Sequence, residues 1–305
     1  MAESALGDSG LEVEACYIGT TGNQGAELDL GRNIVTLNVE KADPRLLDGL
    51  TLIASRAAAV VNAVSGPALT HRDKPDGSPV TAADEASEAI ILDGLARLLP
   101  GVPIVSEEAA SRTHPGAVGD TFLLVDPLDG TRELISGQSE YTVNIALIRE
   151  RVPAIGIIAA PAYKLLWRGL IGYGAERLRL GAEPHMTSER TEINTPARPT
   201  QHPVAVTSRF HRDAQTDNYF KRTPDIEQVV VGSSLKFCRI AEGAADVYPR
   251  LCPMFEWDIA AGHALIEAAG GVMTAPDGSR LTYGRDDLRI PAFIASGDPG
   301  NPFRD

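Results

Sequence analysis

The sequence predicts a mixed α/β fold in two parts, and three observations lead to this prediction. Two segments near the start, Pro44–Val64 and Ala82–Leu99, carry apolar residues at helical spacing. Short apolar runs bounded by turn residues follow them and are typical of buried strands. Beyond Val204, strand-like and helix-like segments alternate, which is the pattern of a βαβ architecture.

The chain also predicts where these parts begin and end. Residues 1–42 hold six glycines and few large apolar groups, so we expect a poorly ordered N-terminal extension. We expect an α+β part over 43–195 and an α/β part over 196–305. The stretch 176–203 is rich in charge, proline and threonine, and we interpret it as a connection between the two halves.

The first part is predicted to open with two helices. Asp43 is a predicted N-cap for the first helix, Pro44 suits its first turn, and Gly66 follows its end. The polar stretch 71–80 predicts a loop or a hairpin tip, and Pro100 stops the second helix. Four strands are predicted next: 103–106, 122–126, 142–149 and 152–160.

The last two of these strands are joined by Glu150-Arg151, which predicts a tight antiparallel hairpin. In the second part, strands are predicted at 204–207, 228–231 and 292–295. Helices are predicted near 212–222, 233–243 and 258–269.

Composition and charge exclude several classes of protein. The chain has 305 residues, of which 43% are hydrophobic, so it can form a large core or two joined subdomains. Its 41 acidic residues outnumber its 28 basic ones and give a net charge of −13. A surface this acidic repels a polymer of phosphates, so we do not expect DNA or RNA as a partner.

The cysteines and the termini favour the cytoplasm. Cys16, Cys238 and Cys252 form no CxxC pair, and we interpret them as reduced structural residues. No run approaches 18 consecutive apolar residues, so we predict no transmembrane segment. Met1–Gly10 carries no positive cluster and is not a typical signal peptide.

Two carboxylates three residues apart are the strongest chemical signal. Asp126 and Asp129 follow the apolar run Phe122–Val125, and Pro127 and Gly130 force a turn between and after them. Acids at the end of a buried strand lie where binding sites often form, and two so close repel each other unless a cation intervenes. The alternative is a surface Asp-Pro turn with solvated acids.

Two further acidic motifs could join this pair. Glu107-Glu108 follows the apolar stretch Val102–Val105, and Trp257-Asp258 precedes a predicted helix. Each also has a purely structural interpretation, since acids stabilise helix starts and Asp is a common N-cap. Together, the four positions suggest a site for hard cations such as magnesium.

Two other segments have structural and functional interpretations that the sequence leaves open. Thr81 and Asp84 have the spacing of a capping box, and Asp84 could instead orient the hydroxyl of Thr131. The segment Gly232–Lys236 opens a predicted helix, where free amides and hydroxyls suit a phosphate, although an ordinary N-cap explains it equally well.

Several catalytic motifs are absent from the sequence. The six histidines show no paired metal spacing, and neither HExxH nor G-x-S-x-G occurs, which disfavours zinc and serine hydrolases. No GxGxxG follows a strand and GxxxxGK[ST] is missing, so a dinucleotide cofactor and a P-loop NTPase are disfavoured too.

Taken together, the motifs DPLDGT (126–131) and WDIAAG (257–262) resemble the inositol monophosphatase superfamily of magnesium-dependent, lithium-sensitive phosphatases. Val105–Glu108 is similar to a third metal motif of that superfamily, and the resemblance spans about residues 45–300. Within it the chain looks most like the CysQ branch, the 3′(2′),5′-bisphosphate nucleotidases. That likeness rests on Arg132-Glu133, the segment 232–237 (GSSLKF) and Tyr248–Arg250.

The resemblance implies a fold and a set of metal ligands. The fold would be a layered αβαβα sandwich with the site between its two halves. Glu107, Asp126 and the Leu128 carbonyl would hold one Mg²⁺. Asp126, Asp129 and Asp258 would hold a second.

The resemblance also implies catalytic and substrate-binding residues. Glu107 and Thr131, with Asp84 behind Thr131, would position and deprotonate the attacking water. The amides of Gly130 and Thr131 would bind the scissile phosphate. Three further residues would contact the nucleotide or its second phosphate: Ser234, Lys236 and Arg250.

The implied activity is removal of the 3′-phosphate from adenosine 3′,5′-bisphosphate, a by-product of sulfate assimilation, with its sulfated form, PAPS, as a further substrate. The alternatives are a phosphatase acting on inositol phosphate or sugar phosphates, and a non-catalytic protein that binds metal or phosphate. A homodimer and peripheral attachment to the inner membrane are both compatible with the sequence.

Overall fold

The computed structural model describes residues 43–66, 69–74, 76–112, 116–181, 187–196, 202–210 and 213–300, and for 25–29, 34–38, 187 and 188 the backbone alone. These residues contain seven α-helices: α1 (Pro44–Val64), α2 (Ala82–Leu98), α3 (Glu107–Arg112), α4 (Thr131–Ile135), α5 (Ala214–Arg222), α6 (Leu235–Ala241) and α7 (Glu256–Ala268).

The same residues contain eighteen strands. In the first half they are β1 (Gly25–Asp29), β2 (Ile34–Asn38), β3 (His71–Asp73), β4 (Pro79–Thr81), β5 (Ile104–Ser106), β6 (Phe122–Asp129), β7 (Thr142–Arg149), β8 (Val152–Ala160), β9 (Leu165–Leu170), β10 (Gly174–Leu180) and β11 (Thr187–Ile193). In the second half they are β12 (Val204–Thr207), β13 (Glu227–Val230), β14 (Val247–Arg250), β15 (Met254–Phe255), β16 (Val272–Thr274), β17 (Arg289–Ile290) and β18 (Phe293–Ser296).

The first helix forms as its sequence predicts. The Asp43 carboxylate accepts a hydrogen bond from the Arg45 amide at 2.8 Å, and Pro44 opens α1. In the described part of the chain, α1 is the one helix long and apolar enough to cross a membrane. It is also a core helix, because Leu46, Leu50 and other apolar residues of one face are buried against a sheet.

That sheet has seven strands in the order β11-β10-β9-β8-β7-β6-β5. Its neighbouring strands are antiparallel except for β5 and β6, which run parallel. Helices α1 and α2 cover one face, while α7 packs on the other face against β6 to β9. Apolar side chains on both faces explain why its central strands are almost continuously buried.

The second sheet has five strands in the order β13-β12-β14-β18-β16. On its outer face, α5 buries Tyr219 and Phe220. Helices α6 and α7 lie on its inner face, in the hydrophobic core shared with the first sheet. The layers therefore run helix, sheet, helix, sheet, helix, which confirms the predicted αβαβα sandwich.

Some predicted boundaries are wrong. Strand β11 and most of β10 lie in 176–203, where the sequence predicts a connection. They form because cross-strand pairing of charged side chains supports an exposed sheet edge there. Strands β9, β14 and β16 were not predicted at all. Within 1–42, β1 and β2 pair as an antiparallel hairpin that the sequence did not predict, and the rest lies outside the described residues.

The turn between β7 and β8 is the tight hairpin that the sequence predicts. Its two central residues, Glu150 and Arg151, have φ values of 50° and 61°, in the left-handed region. A two-residue turn with this geometry matches the right-handed twist of the strands that it joins. Both positions therefore carry side chains where glycine or asparagine is usually found.

Candidate active site

The end of β6 places the central carboxylate of the site. The pairing of β6 with β7 is regular up to Asp126, shifts between Asp126 and Asp129, and ends there. Pro127 lies in this bulge, where a residue without an amide proton is tolerated. The Leu128 amide donates to Asp126 Oδ1 at 3.0 Å, so the turn fixes the rotamer of an almost fully buried acid.

Two other elements bring acids to the same point. Glu107 begins α3 directly after β5, and Asp258 lies in the first turn of α7. Ligand atoms of Glu107, Asp126 and Asp258 all lie within 4.8 Å of one another. In the described part of the chain this is the single such group of three or more acidic, histidine or cysteine side chains.

The cluster fits a hard cation. All its donor atoms are carboxylate oxygens, which suit magnesium, manganese or calcium. Asp126 Oδ2 is buried and has no hydrogen-bond partner in the structure, although a buried carboxylate oxygen normally has one. A bound cation would supply that partner.

Electrostatics support the same interpretation. Burial, followed by the neighbouring carboxylates, raises the pKa of Asp126 and of Asp258 well above the ordinary value of an aspartate. Burial also raises the pKa of Glu107, although the Lys74 ammonium opposes that change. Without a cation, the protein therefore holds three acids that resist ionisation together.

Lys74 is a member of the site that the sequence analysis missed. It lies in the loop between β3 and β4, and its buried ammonium is 2.7 Å from Glu107 Oε1 and 2.5 Å from Glu108 Oε1. Burial opposes its charge, but the two glutamates raise the pKa of Lys74 overall. Nothing in the sequence pairs a hairpin lysine with acids 33 residues away.

Asp129, at the end of β6, lies outside the group of three acids. Its Oδ2 accepts hydrogen bonds from the hydroxyls of Ser233, at 2.7 Å, and Ser234, at 2.9 Å. Ser234 lies at the N-cap position of α6, but its side chain forms no capping hydrogen bond. The N-cap interpretation of this segment is wrong for the Ser234 side chain.

The Thr81–Asp84 motif satisfies both of its interpretations. Thr81 and Asp84 form the capping box that opens α2. The other oxygen of Asp84 accepts a hydrogen bond from the Thr131 hydroxyl at 2.9 Å, and that hydroxyl is also 3.1 Å from the Leu128 carbonyl. Burial raises the pKa of Asp84, while its hydrogen bonds with Thr81 lower it.

The three clustered acids, Asp129 and Thr131 line one cleft between the two halves of the molecule. Its cavity volume is about 230 Å³, and it opens to solvent at its mouth. Two buried cations, Lys236 and Arg250, line it from the second half. Lys236 Nζ donates to the Ser233 carbonyl and lies 5.4 Å from the centroid of the Tyr248 ring.

The cleft brings together most of the predicted site residues. It is lined by ten of them: Glu107, Asp126, Leu128, Asp129, Gly130, Thr131, Ser234, Lys236, Arg250 and Asp258. Asp84 contacts the site through Thr131. The structural alternative for Asp258 is wrong, because α7 begins at Glu256 and Asp258 is therefore not its N-cap. Glu108 turns to Lys74, so one of the two adjacent glutamates joins the cluster.

A layered αβαβα fold with an oxygen-ligand cluster at the junction of its sheets defines a class of metal-dependent phosphatases. The chain belongs to the inositol monophosphatase family, whose model matches residues 45–297.

Relatives within this family point to one branch. The chain is 40% identical over 224 residues to the 3′(2′),5′-bisphosphate nucleotidase CysQ of Escherichia coli strain K12, covering 73% of this chain and 87% of the relative. It is 39% identical over 226 residues to the CysQ of Salmonella typhimurium, covering 74% and 88%. The crystal structure of CysQ from Bacteroides thetaiotaomicron superposes with a TM-score of 0.67 at 34% identity, covering 83% and 97%.

Proposed function

We propose that this protein is a 3′(2′),5′-bisphosphate nucleotidase that hydrolyses the 3′-phosphate of adenosine 3′,5′-bisphosphate, giving AMP and phosphate. The observation that carries this proposal is the identity of 39–40% to CysQ relatives over nearly three quarters of the chain. The cleft supports it, because an acidic cluster and two buried basic side chains line the same space and suit a metal-assisted site for an anionic substrate.

Mg²⁺ is the proposed cofactor, and the acids at the end of β6 would hold it. Glu107, Asp126 and the Leu128 carbonyl would contribute to one site, while Asp126, Asp129 and Asp258 would contribute to another. When bound, such ions neutralise phosphate charge and lower the pKa of a coordinated water.

The attacking water would be oriented by Thr131. Its hydroxyl proton is committed to the Asp84 carboxylate or the Leu128 carbonyl, so the lone pairs of its oxygen are left to accept from water. Glu107 lines the same cleft and is the proposed group that removes the proton. The proton then has a route from the water to a carboxylate. The bond from phosphorus to the 3′-oxygen breaks on the opposite side, and that oxygen takes a proton from solvent in the open cleft to give the 3′-hydroxyl.

The substrate would be held by donors from both halves of the molecule. The Gly130 and Thr131 amides lie at the start of α4 and would bind the scissile phosphate. Lys236 and Arg250 would neutralise the second phosphate, which this acidic protein would otherwise repel. Ser234 is a further proposed nucleotide contact.

Phosphate release from a panel of substrates tests this proposal. The panel contains adenosine 3′,5′-bisphosphate, PAPS, inositol 1-phosphate and fructose 1,6-bisphosphate, each assayed in Mg²⁺ with and without lithium. We expect the fastest release from the adenosine bisphosphate and inhibition by lithium. Faster release from inositol 1-phosphate would instead assign the protein to the sugar-phosphate phosphatases of the family.

We further propose that the enzyme acts in the cytoplasm.

The substrate panel also tests whether the protein is an enzyme. No phosphate release from any member of the panel, with Mg²⁺ present, would support a non-catalytic role. Light scattering of the purified protein would distinguish a monomer from the homodimer that the sequence allows.

A further inference from the structure

Two chains of hydrogen bonds run from β7 to the carboxylate of Asp129. In the first, Thr142 Oγ1 lies 2.5 Å from Ser233 Oγ, which lies 2.7 Å from Asp129 Oδ2. In the second, Asn144 Nδ2 lies 2.9 Å from Ser234 Oγ, which lies 2.9 Å from the same oxygen. The structure thus connects a strand of the first half to a metal-ligand candidate through a loop of the second half.

The direction of both chains follows from counting protons. A serine hydroxyl has one proton to donate, and the structure has both serine hydroxyls donating to Asp129 Oδ2. If Ser233 donates to Asp129, Thr142 must donate to Ser233. Likewise, Asn144 donates its amide hydrogen to Ser234, whose proton goes to Asp129 or, at 3.2 Å, to the Asp258 carbonyl. Donation therefore runs from β7 towards the acids.

The polarity of Thr142 and Asn144 is not explained by packing. Both are almost fully buried, and residues two apart on a strand share one face. The next residues of β7 on that face are Ala146 and Ile148, which belong to the hydrophobic core with α7. Buried polar groups destabilise a protein unless they are hydrogen-bonded, so two of them in succession on an apolar face indicate a specific role.

Register explains why these two positions are the polar ones. Asn144 pairs with Asp126 and Thr142 pairs with Asp129 across the β6–β7 ladder, on either side of the bulge. The two donors therefore flank the turn that carries the metal-ligand candidates. Ser233, which contacts Thr142, has a φ of 52°, a left-handed conformation that a serine adopts only when its surroundings require it.

We propose that Thr142 and Asn144 are positioning residues, which act through Ser233 and Ser234 to hold the Asp129 carboxylate in the orientation that binds a divalent cation. Both serines contact Oδ2, so Oδ1 is the oxygen that neither of them uses. The inference rests on the metal site proposed above and gives Ser234 a task that precedes substrate binding. Hydrogen bonds behind a metal ligand set its orientation and contribute strongly to affinity.

Binding of Mn²⁺, followed by electron paramagnetic resonance without any nucleotide, tests this proposal on the full chain. Thr142→Val keeps the shape of the side chain and removes its hydroxyl, and we expect it to weaken Mn²⁺ affinity by about tenfold. Thr142→Ser keeps the hydroxyl and should restore affinity to within about twofold of wild type. The matched control is Thr51→Val, which removes a buried hydroxyl of α1 whose partners, the Leu47 carbonyl and Arg168, are not part of the acidic cluster.

Ser234→Ala separates the two roles of that serine. The positioning role requires an affinity for Mn²⁺ about tenfold lower in the absence of nucleotide. A role in substrate binding alone would leave Mn²⁺ affinity at the wild-type value and raise only the KM for the nucleotide.

Four results would overturn the inference. These are wild-type or tighter Mn²⁺ affinity in both Thr142→Val and Ser234→Ala, failure of Thr142→Ser to restore affinity, an equal loss in Thr51→Val, and no Mn²⁺ binding by the wild-type protein. The last result would also remove the metal site on which the proposed function depends. Any of the first three, with wild-type binding intact, would leave that function standing.

Discussion

Among single residues, Asp126 shows how its position makes an ordinary acid a candidate cation ligand. It is buried, it lies beside two other acids, and one of its oxygens has no hydrogen-bond partner in the structure. Desolvation disfavours its charge, and so does each neighbouring carboxylate. A bound divalent cation would compensate for both effects at once.

Asp126→Asn should reduce phosphate release by at least about a hundredfold, because a metal contributes several kcal/mol of transition-state stabilisation. The same variant should melt at a higher temperature than wild type when both are metal-free at neutral pH, since it removes a charge that the fold destabilises. Calorimetry with a chelator measures the second effect. Asp120→Asn, at an exposed position, is the control and should change neither property.

The raised pKa values of Asp126 and Asp258 also predict how stability depends on pH. Well below the ordinary pKa of an aspartate, these acids are protonated in both the folded and the unfolded chain. As pH rises from there, the unfolded chain loses protons first, so the metal-free protein loses stability until the folded-state pKa is passed. The melting temperature with a chelator should therefore fall as pH rises above the ordinary pKa of an aspartate, which a series of buffers from pH 5 to pH 8 would measure.

Excess Mg²⁺ should raise the melting temperature most at the upper end of that range. A cation that binds only the folded protein at a hundred times its Kd adds about 2.7 kcal/mol of stability. A metal-free melting temperature that rises from pH 5 to pH 8 would contradict this account.

Among elements, α2 helps to position Glu107, a metal-ligand candidate that lies on α3. Glu88, buried on α2, accepts hydrogen bonds through Oε1 from the Ser106 hydroxyl at 2.6 Å and from the Ala109 amide at 3.0 Å. These groups lie on either side of Glu107, at the junction of β5 and α3. A helix packed behind the sheet thus fixes the backbone from which a metal-ligand candidate projects.

Glu88→Ala should lower the free energy of unfolding by about 1–3 kcal/mol, because it leaves a buried hydroxyl and a partly buried amide without their acceptor. It should also weaken Mg²⁺ binding, measured as the Mg²⁺-dependent rise in melting temperature. Glu88→Gln keeps an oxygen at the same position and should recover most of both losses. Equal losses in the two variants would show that the charge of Glu88 matters, and not its role as acceptor.

For the molecule as a whole, α7 is the helix that both sheets share. It packs on β6 to β9 of the first sheet and on β16 and β18 of the second, and its first turn carries Asp258. Glycine on the first sheet allows this close approach: a Cβ on Gly156 would lie 2.1 Å from the Ala261 carbonyl oxygen of α7. The distance between helix and sheet therefore affects where Asp258 lies.

Gly156→Ala should destabilise the protein by about 1–3 kcal/mol, because the new methyl group displaces α7 from the sheet. Since Asp258 moves with α7, Mg²⁺ affinity should fall as well. Gly66→Ala is the control, as a Cβ there meets nothing within 4 Å. Titration of Mg²⁺ by calorimetry compares the two, and an unchanged affinity in Gly156→Ala would mean that the site tolerates movement of the helix.

Much of the fold was predictable because local signals agree with the global structure. The Asp43 cap, the two helices and the β7–β8 hairpin all follow from periodicity and turn residues. Strands β10 and β11 could not be predicted in the same way, because their residues are charged and their pairing is set by partners elsewhere in the sheet.

The residues of the candidate site also differ in whether the sequence alone predicts them. Asp126, Glu107 and Asp258 were predictable because each lies in a motif that follows or opens a regular element. Lys74, Asn144 and Glu88 were not, because their function depends on contacts with residues 18 to 90 positions away in the chain. Contacts of that length are determined by the packing of whole elements.

The hairpin at Glu150 and Arg151 is a place where a substitution can raise the thermal stability of the protein. Side chains held in the left-handed region destabilise a chain by roughly 1–2 kcal/mol each, and asparagine tolerates that region better than glutamate. Arg151 is tied to the Gly284 carbonyl at 2.8 Å, whereas no side-chain bond is described for Glu150. Glu150→Asn should therefore yield a more heat-resistant protein with unaltered turnover, as thermal inactivation assays would show.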